Sequence, residues 1–264
     1  MQQVPKISVI TVTLNAAAEL QKTLESIGNQ DYPEVEIIVI DGGSTDETKQ
    51  VIAQYIDRLS SWISEPDKGI YDAMNKGLAK ATGEWVNFMN AGDVFKSPRA
   101  LSQVFTHDYK DTDVIYGDGI ADYSTFKLLQ KAITLDDLWK GMPFCHQAMF
   151  TRTALLKPQG FSTEYTIASD FDLVYRLYTE KRNFRYVPNP ICIFEVEGVS
   201  NQLYIKSWKE RYRICKKYGN TSVRKQLFYV RLFTVFLFTW LGYAIFQRKM
   251  MYRIVKFIYR NNLI

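Results

Sequence analysis

The sequence predicts an α/β domain in which a mostly parallel sheet is covered by helices on both faces. Three observations carry that expectation. Short β-branched runs recur along the first hundred residues, each followed by apolar positions at helical spacing. Clusters of Asp, Asn, Gly and Ser stand immediately after those runs, where a parallel strand must turn into its crossover. The composition, 47% hydrophobic and 23% charged over 264 residues, is too apolar for a disordered chain and long enough to bury a sizeable core.

Taken in order, Ile7–Leu14 reads as a buried strand, and Asn15 is placed to cap a helix carrying Leu20, Leu24 and Ile27. Val35–Ile40 is a second strand that stops at Asp41-Gly42-Gly43-Ser44-Thr45-Asp46, before a helix through Val51, Ile52 and Tyr55. A third strand near Trp62–Ser64 runs into Glu65-Pro66-Asp67-Lys68-Gly69 and a helix from Ile70 to Ala81. Glu84–Met89 is a fourth strand, ending at Asn90-Ala91-Gly92-Asp93 before a helix near Ser97-Pro98. In open α/β sheets the ligand crevice lies beyond the carboxyl ends of the strands. Asp41, Asp67 and Asp93 should therefore converge on one cleft.

Each cluster has a plain reading beside a chemical one. Asp41-Gly42-Gly43 is equally a strand-to-helix turn with Ser44 or Asp46 as a cap, or an acid holding a base or ribose with glycines that admit the ligand. Asn90–Asp93 is a turn, or a lone carboxylate for a hard cation whose remaining ligands come from a diphosphate. Ser169 or Asp170 caps an apolar helix, or Asp170 is a general base kept ionised by the helix N-terminus. His146-Gln147 is either a core-edge pair or part of a cleft; with only His107 as a second histidine, a His-rich zinc site is excluded.

Four motifs in order and spacing, Ile7–Asn15, Asp41–Asp46, Ser64–Gly77 and Phe88–Asp93, resemble those of family 2 inverting glycosyltransferases with the GT-A fold, among them transferases of bacterial exopolysaccharide and colanic acid assembly. The resemblance covers about residues 5–200, and Tyr71-Asp72-Ala73-Met74-Asn75-Lys76-Gly77 is its most specific part. It implies a nucleotide-diphospho-sugar donor, linked to UDP, GDP or dTDP, near Thr13, Asn15, Asp41, Gly42, Asp67, Lys76, Asn90 and Ala91. Asn90–Asp93 stands where the family has its DxD motif, which makes Asp93 the expected contact for Mn²⁺ or Mg²⁺. Asp170 takes the place of the catalytic base, with Ser169 where the family has Glu, and His146 and Gln147 fall on the acceptor side. Loops around 118–146 and 190–200 are expected to decide the donor sugar, the nucleobase and the acceptor, a glycan or a polyprenyl-diphosphate-linked sugar.

A nucleotidyltransferase is disfavoured because Asn15-Ala-Ala-Ala-Glu19 replaces the Gly-rich basic loop a triphosphate needs. A nicotinamide dehydrogenase is disfavoured because no GxGxxG follows the first strand. Asn90 and Ser169, which depart from the family pattern, leave a non-catalytic glycan- or nucleotide-sugar-binding scaffold as the rival reading.

Charge divides the chain into an expected catalytic domain, 1–204, with 19 Lys+Arg against 27 Asp+Glu, and a helical extension, 205–264, with 14 Lys+Arg and the single acid Glu210. Leu232–Phe246 is uncharged for 15 residues and flanked by Arg224-Lys225 and Arg248-Lys249. That is short of the ~20 residues a bilayer span requires, and fits a segment on or entering an anionic leaflet. Packing on the body or in a homodimer is the alternative use, and nucleic acid the least suited partner. Three widely spaced cysteines support neither a disulfide framework nor a CxxC zinc site. The N-terminus lacks a basic n-region, so a secretory signal is not expected. Together these place the chain peripherally on the cytoplasmic face of the inner membrane.

Overall fold

The computed structural model describes residues 4–196, 204–219, 222–231 and 233–234. The first four strands, β1 (Ile7–Thr13), β2 (Val35–Asp41), β3 (Ser61–Ser64) and β4 (Trp85–Phe88), pair in parallel in the order β3-β2-β1-β4. Their crossovers carry the helices α1 (Ala17–Gly28), α2 (Thr48–Gln54) and α3 (Ile70–Lys80). Alternation along each strand splits the core in two. Ile10, Val12, Ile38 and Ile40 face α3, and Ile7, Val9, Ile37 and Val39 face the layer containing α1 and α2. Gly77 lets α3 lie directly on the sheet: a Cβ there would press on Ile10 and sit 3.2 Å from Ile40 Cγ1.

Beyond β4 the expectation of a mostly parallel sheet fails, and the nine-stranded sheet is mixed. β5 (Val94–Phe95) and α4 (Ala100–Val104) lead to β6 (Val114–Asp122), which forms an antiparallel pair with β7 (Lys127–Gln130). β8 (Met149–Arg152) slots antiparallel between β4 and β6. After α5 (Thr153–Leu156) and α6 (Ser169–Thr179), β9 (Phe184–Glu195) runs parallel to β6 and takes β5 antiparallel on its far side. Parallel pairing needs a long crossover at each step, whereas β6–β7 is closed by a short hairpin turn that reverses the chain.

Asn15 does not cap α1 as the sequence suggests. The cap position is Ala16, and Asn15 sits at φ 48 with its side chain turned to the Asp41–Asp46 loop. Asp46 is not the cap either, that position being Glu47, but its carboxylate accepts from Thr48 N–H at 3.0 Å. After β9 the next described helix is α7 (Tyr204–Lys217). Its Ile214 and Cys215 are buried in the same core as α6 residues Phe171, Leu173 and Val174, and Tyr229 joins them from the helical stretch 223–231. Among the described residues no helix is long and apolar enough to cross a membrane. Most of the predicted uncharged run 232–246, and every basic residue after it, lies outside the described residues.

Candidate active site

The strand ends gather the site in two halves. On the first, β1 and β2 end side by side, Thr13 opposite Asp41. Asp41 is fully buried (0% exposed) and its carboxylate accepts from Ser44 N–H, the Ser44 hydroxyl and, at 2.6 Å, the Ser64 hydroxyl. Ser44 Oγ in turn accepts from Asn15 N–H at 2.7 Å, and Asn15 Oδ1 accepts from Thr45 N–H at 2.9 Å. Gly42 N–H donates to Thr13 C=O, and the Asp67 carboxylate lies where a Gly42 side chain would be. Asp67 Oδ1 accepts from Gly69 N–H, while Lys76 holds the same loop through Glu65 at 2.8 Å and the Pro66 carbonyl at 3.1 Å. Glu65 is the main cause of a raised Lys76 pKa, so that cation persists at any working pH. Thr13 Oγ1 is buried without a hydrogen-bond partner in the described structure.

The second half is assembled from four segments distant in sequence. Asp170, in the first turn of α6, accepts from the Tyr71 hydroxyl of α3 at 3.1 Å and lies 3.7 Å from His146 Nδ1. His146 opens a 3-10 turn, His146–Ala148, and its Nε2 meets Asn90 Nδ2 at 3.2 Å. The amide donates to Nε2, so the proton of a neutral imidazole sits on Nδ1, facing the carboxylate. Burial lowers the His146 pKa, partly offset by Asp170, and keeps the ring neutral at pH 7. Burial, reinforced by Asp170, pushes the Tyr71 phenol well above its ordinary range, so it stays a donor. Asn87 anchors the turn to β4, donating to the Gln147 and Met149 carbonyls at 2.9 Å each.

Asp93 and Gln147 are hydrogen-bonded to each other. Gln147 Nε2 donates to Asp93 Oδ2 at 2.8 Å, and Asp93 is only 7% exposed. Desolvation raises its pKa to about 7 despite the Gln147 bond. A cation needs an ionised carboxylate with an open face. Gln147 occupies Oδ2 of Asp93, and among the described residues no group of three or more His, Cys, Asp or Glu could hold a metal, so a cation here would take most of its ligands from elsewhere. Asn90 Oδ1, buried and unpartnered, is the oxygen this loop leaves unused. Ala91 N–H pairs with Val12 C=O, which sets this loop beside the end of β1. A hollow of about 540 Å³, lined in part by Lys22, Ser124, Phe126 and Glu195, adjoins the same loop, with Glu195 standing against Gly92.

The structure thus joins Asp41 to Asp67, turns Asp93 inward, and links Asp170, His146 and Asn90. The sequence reading missed Tyr71 as a site residue. Its position in the most specific motif was visible, but an aromatic at helical spacing is indistinguishable from core.

The glycosyl transferase family 2 profile matches residues 8–178. A PGL/p-HBAD biosynthesis glycosyltransferase of Mycobacterium tuberculosis is 32% identical over 223 residues, covering 81% of this chain and 87% of that one. The putative glycosyltransferase EpsE of Bacillus subtilis is 29% identical over 194 residues, with 68% and 69% covered. Among solved structures, the mannosyltransferase PcManGT of Pyrobaculum calidifontis, in complex with GDP-Man and Mn²⁺, superposes with a TM-score of 0.66 at 18% identity over 97% of this chain and 80% of its own. S. aureus TarS residues 1–349 with UDP gives 0.61 at 23% identity, with 92% and 73% covered. At those identities the structural likeness speaks for the fold, an α/β nucleotide-sugar-binding fold with a mixed sheet. The profile match and the curated relatives go further: this chain belongs to glycosyl transferase family 2.

Proposed function

We propose that this glycosyltransferase inverts the anomeric centre it transfers, in one displacement, with Asp170 as general base. The observation that carries the reading is the Asp170 carboxylate, held at a helix N-terminus between a protonated Tyr71 and a neutral His146. The acceptor hydroxyl gives its proton to Asp170 as its oxygen bonds to the anomeric carbon. The bond from that carbon to the diphosphate breaks on the opposite face, and the nucleoside diphosphate leaves with the electron pair. Tyr71, whose one hydroxyl proton is shared between the Ile167 carbonyl and Asp170, and the His146 ring 3.7 Å away flank the carboxylate and set its orientation. The Asp41–Asp46 and Glu65–Gly69 loops form the donor side, with Thr13, Asn15, Gly42, Asp67, Lys76, Asn90 and Ala91 around a UDP-, GDP- or dTDP-linked sugar. Mn²⁺ or Mg²⁺ enters this reading as the counter-ion of the donor's diphosphate, supported by the Mn²⁺ and GDP-Man bound to PcManGT.

A glycan or polyprenyl-diphosphate-linked acceptor is supported by the biosynthetic roles in the relatives' names. It would be met from the cytoplasmic face of the inner membrane, with residues 1–204 as the catalytic body and 205–264 as a basic peripheral attachment. A homodimer through that attachment is the competing use. The test is diphosphate release and thermal shift over a panel of UDP-, GDP- and dTDP-sugars with and without Mn²⁺. One donor that stabilises the chain and is turned over supports the reading; stabilisation without turnover by wild type would favour the binding scaffold. For the membrane, a chain ending at residue 234 keeps Tyr229 in the core and should leave anionic vesicles that the full chain binds. Equal retention would remove the attachment role.

A further inference from the structure

Residues 205–264 hold one acid among 14 basic residues, and it is buried. Glu210, in the middle of α7, is 5% exposed. Its Oε1 accepts from Thr166 N–H at 3.1 Å and the Thr166 hydroxyl at 2.9 Å. Its Oε2 accepts from Ile167 N–H at 2.9 Å and Ala168 N–H at 3.0 Å. A carboxylate taken out of water is tolerated only when its lone pairs are so occupied, and removing it would strand three backbone donors. Those donors belong to the three residues that precede Ser169 and Asp170. The same strap is gripped from its other side, because the Ile167 carbonyl accepts from the Tyr71 hydroxyl at 2.7 Å. A second tie lies one turn into α6, where Lys217 and Tyr218 reach Asp172 Oδ1 at 3.0 and 3.2 Å.

We propose that Glu210 is a positioning residue for Asp170: by fixing the 166–168 strap against Tyr71, it sets where α6 begins and so where its first-turn carboxylate stands. The chain outside the family match thereby supplies a part of the catalytic apparatus, since the profile ends at residue 178. The inference rests on Asp170 being the base, and its test separates the two. Ordinary capping would use a side chain adjacent to the helix start, but the cap residue here is Ala168, with no side-chain bond. The strap that leads into the helix is held from a remote helix instead.

With only two histidines, NMR titration of His146 reads the Asp170 carboxylate directly. In full-length Asp170→Asn, loss of that anion should lower the His146 pKa. Glu210→Ala should move it in the same direction, and Glu210→Gln, which keeps the shape but turns an amide N–H₂ toward two donors, should move it less. Turnover should fall at least tenfold in Glu210→Ala with donor KM within twofold. If Glu210→Ala does not fold, Glu210→Gln carries the same two readouts. A Glu210 variant that lowers only Tm, with His146 titration and kcat unchanged, overturns the positioning role. If Asp170→Asn keeps full turnover, the base assignment fails, while the His146 titration still decides whether Glu210 holds that carboxylate in place.

Discussion

The two halves of the site are built on opposite plans. On the donor side, Asp41 is satisfied by Ser44 three residues away and by Ser64 on the next strand, and Asn15 locks the same loop. That side is drawn from three neighbouring strand ends between residues 13 and 69, and closes on itself. On the other side, Tyr71, Asn90, His146 and Asp170 come from four separate segments, and Glu210 from a fifth. The difference teaches that neighbouring strand ends can knit their loops together directly, whereas the Asp170 carboxylate is oriented by segments drawn from across the chain.

The comparison breaks most sharply at Asp170. Asp170→Asn should lower turnover by roughly 10²–10⁴-fold, the usual worth of a positioned base, with nucleotide-induced thermal shift unchanged. Equal loss of both would mean the halves are not separable. Asp93 offers the next largest effect, through pH. Its carboxyl titrates near 7 when folded, against 3.8 as the ordinary value, so the folded state holds the proton more tightly. Stability is therefore full below about pH 4 and declines as pH rises through 7, by a ceiling on the order of 4 kcal/mol. Denaturant unfolding of Asp93→Asn between pH 4 and 8 should lack that decline, and an unaltered slope would show that the inward-facing carboxyl is not its source.

A smaller effect tests whether the donor loop is self-contained. Asp41→Ala strands one backbone and two hydroxyl donors and should cost about 3 kcal/mol, together with most of the nucleotide-induced stabilisation, while the His146 titration stays as in wild type. Movement of His146 would show the halves coupled. The smallest change sharpens the role of the amide. Asn90→Asp places a second carboxylate at His146 Nε2 and should raise the imidazole pKa by about one unit, measurable by NMR. An unmoved titration would mean that Asn90 does not set the tautomer.

Much of this was legible in the residues. The strand runs Ile7–Thr13 and Val35–Asp41 could be read because they are short, rich in β-branched residues and stop at a polar turn. The place of Asp170 in the first turn of an apolar helix could be read. The inward turn of Asp93 could not, because whether a carboxylate faces solvent or Gln147 is decided by a turn 54 residues away. The mixed half was equally hidden, since β8 inserts between β4 and β6 by pairing that no local periodicity encodes.

Sequence alone therefore determined the alternation of strands and helices, the place of the polar turns, and the charge division between body and extension. These follow from backbone preference and side-chain period, which act over a few residues. Tertiary structure alone decided which acids stay open, which tautomer His146 adopts, and that Glu210 reaches back to the start of α6. Those depend on desolvation and on hydrogen bonds between segments that meet only when the sheet is complete, and such free energies have no expression in a short stretch of chain.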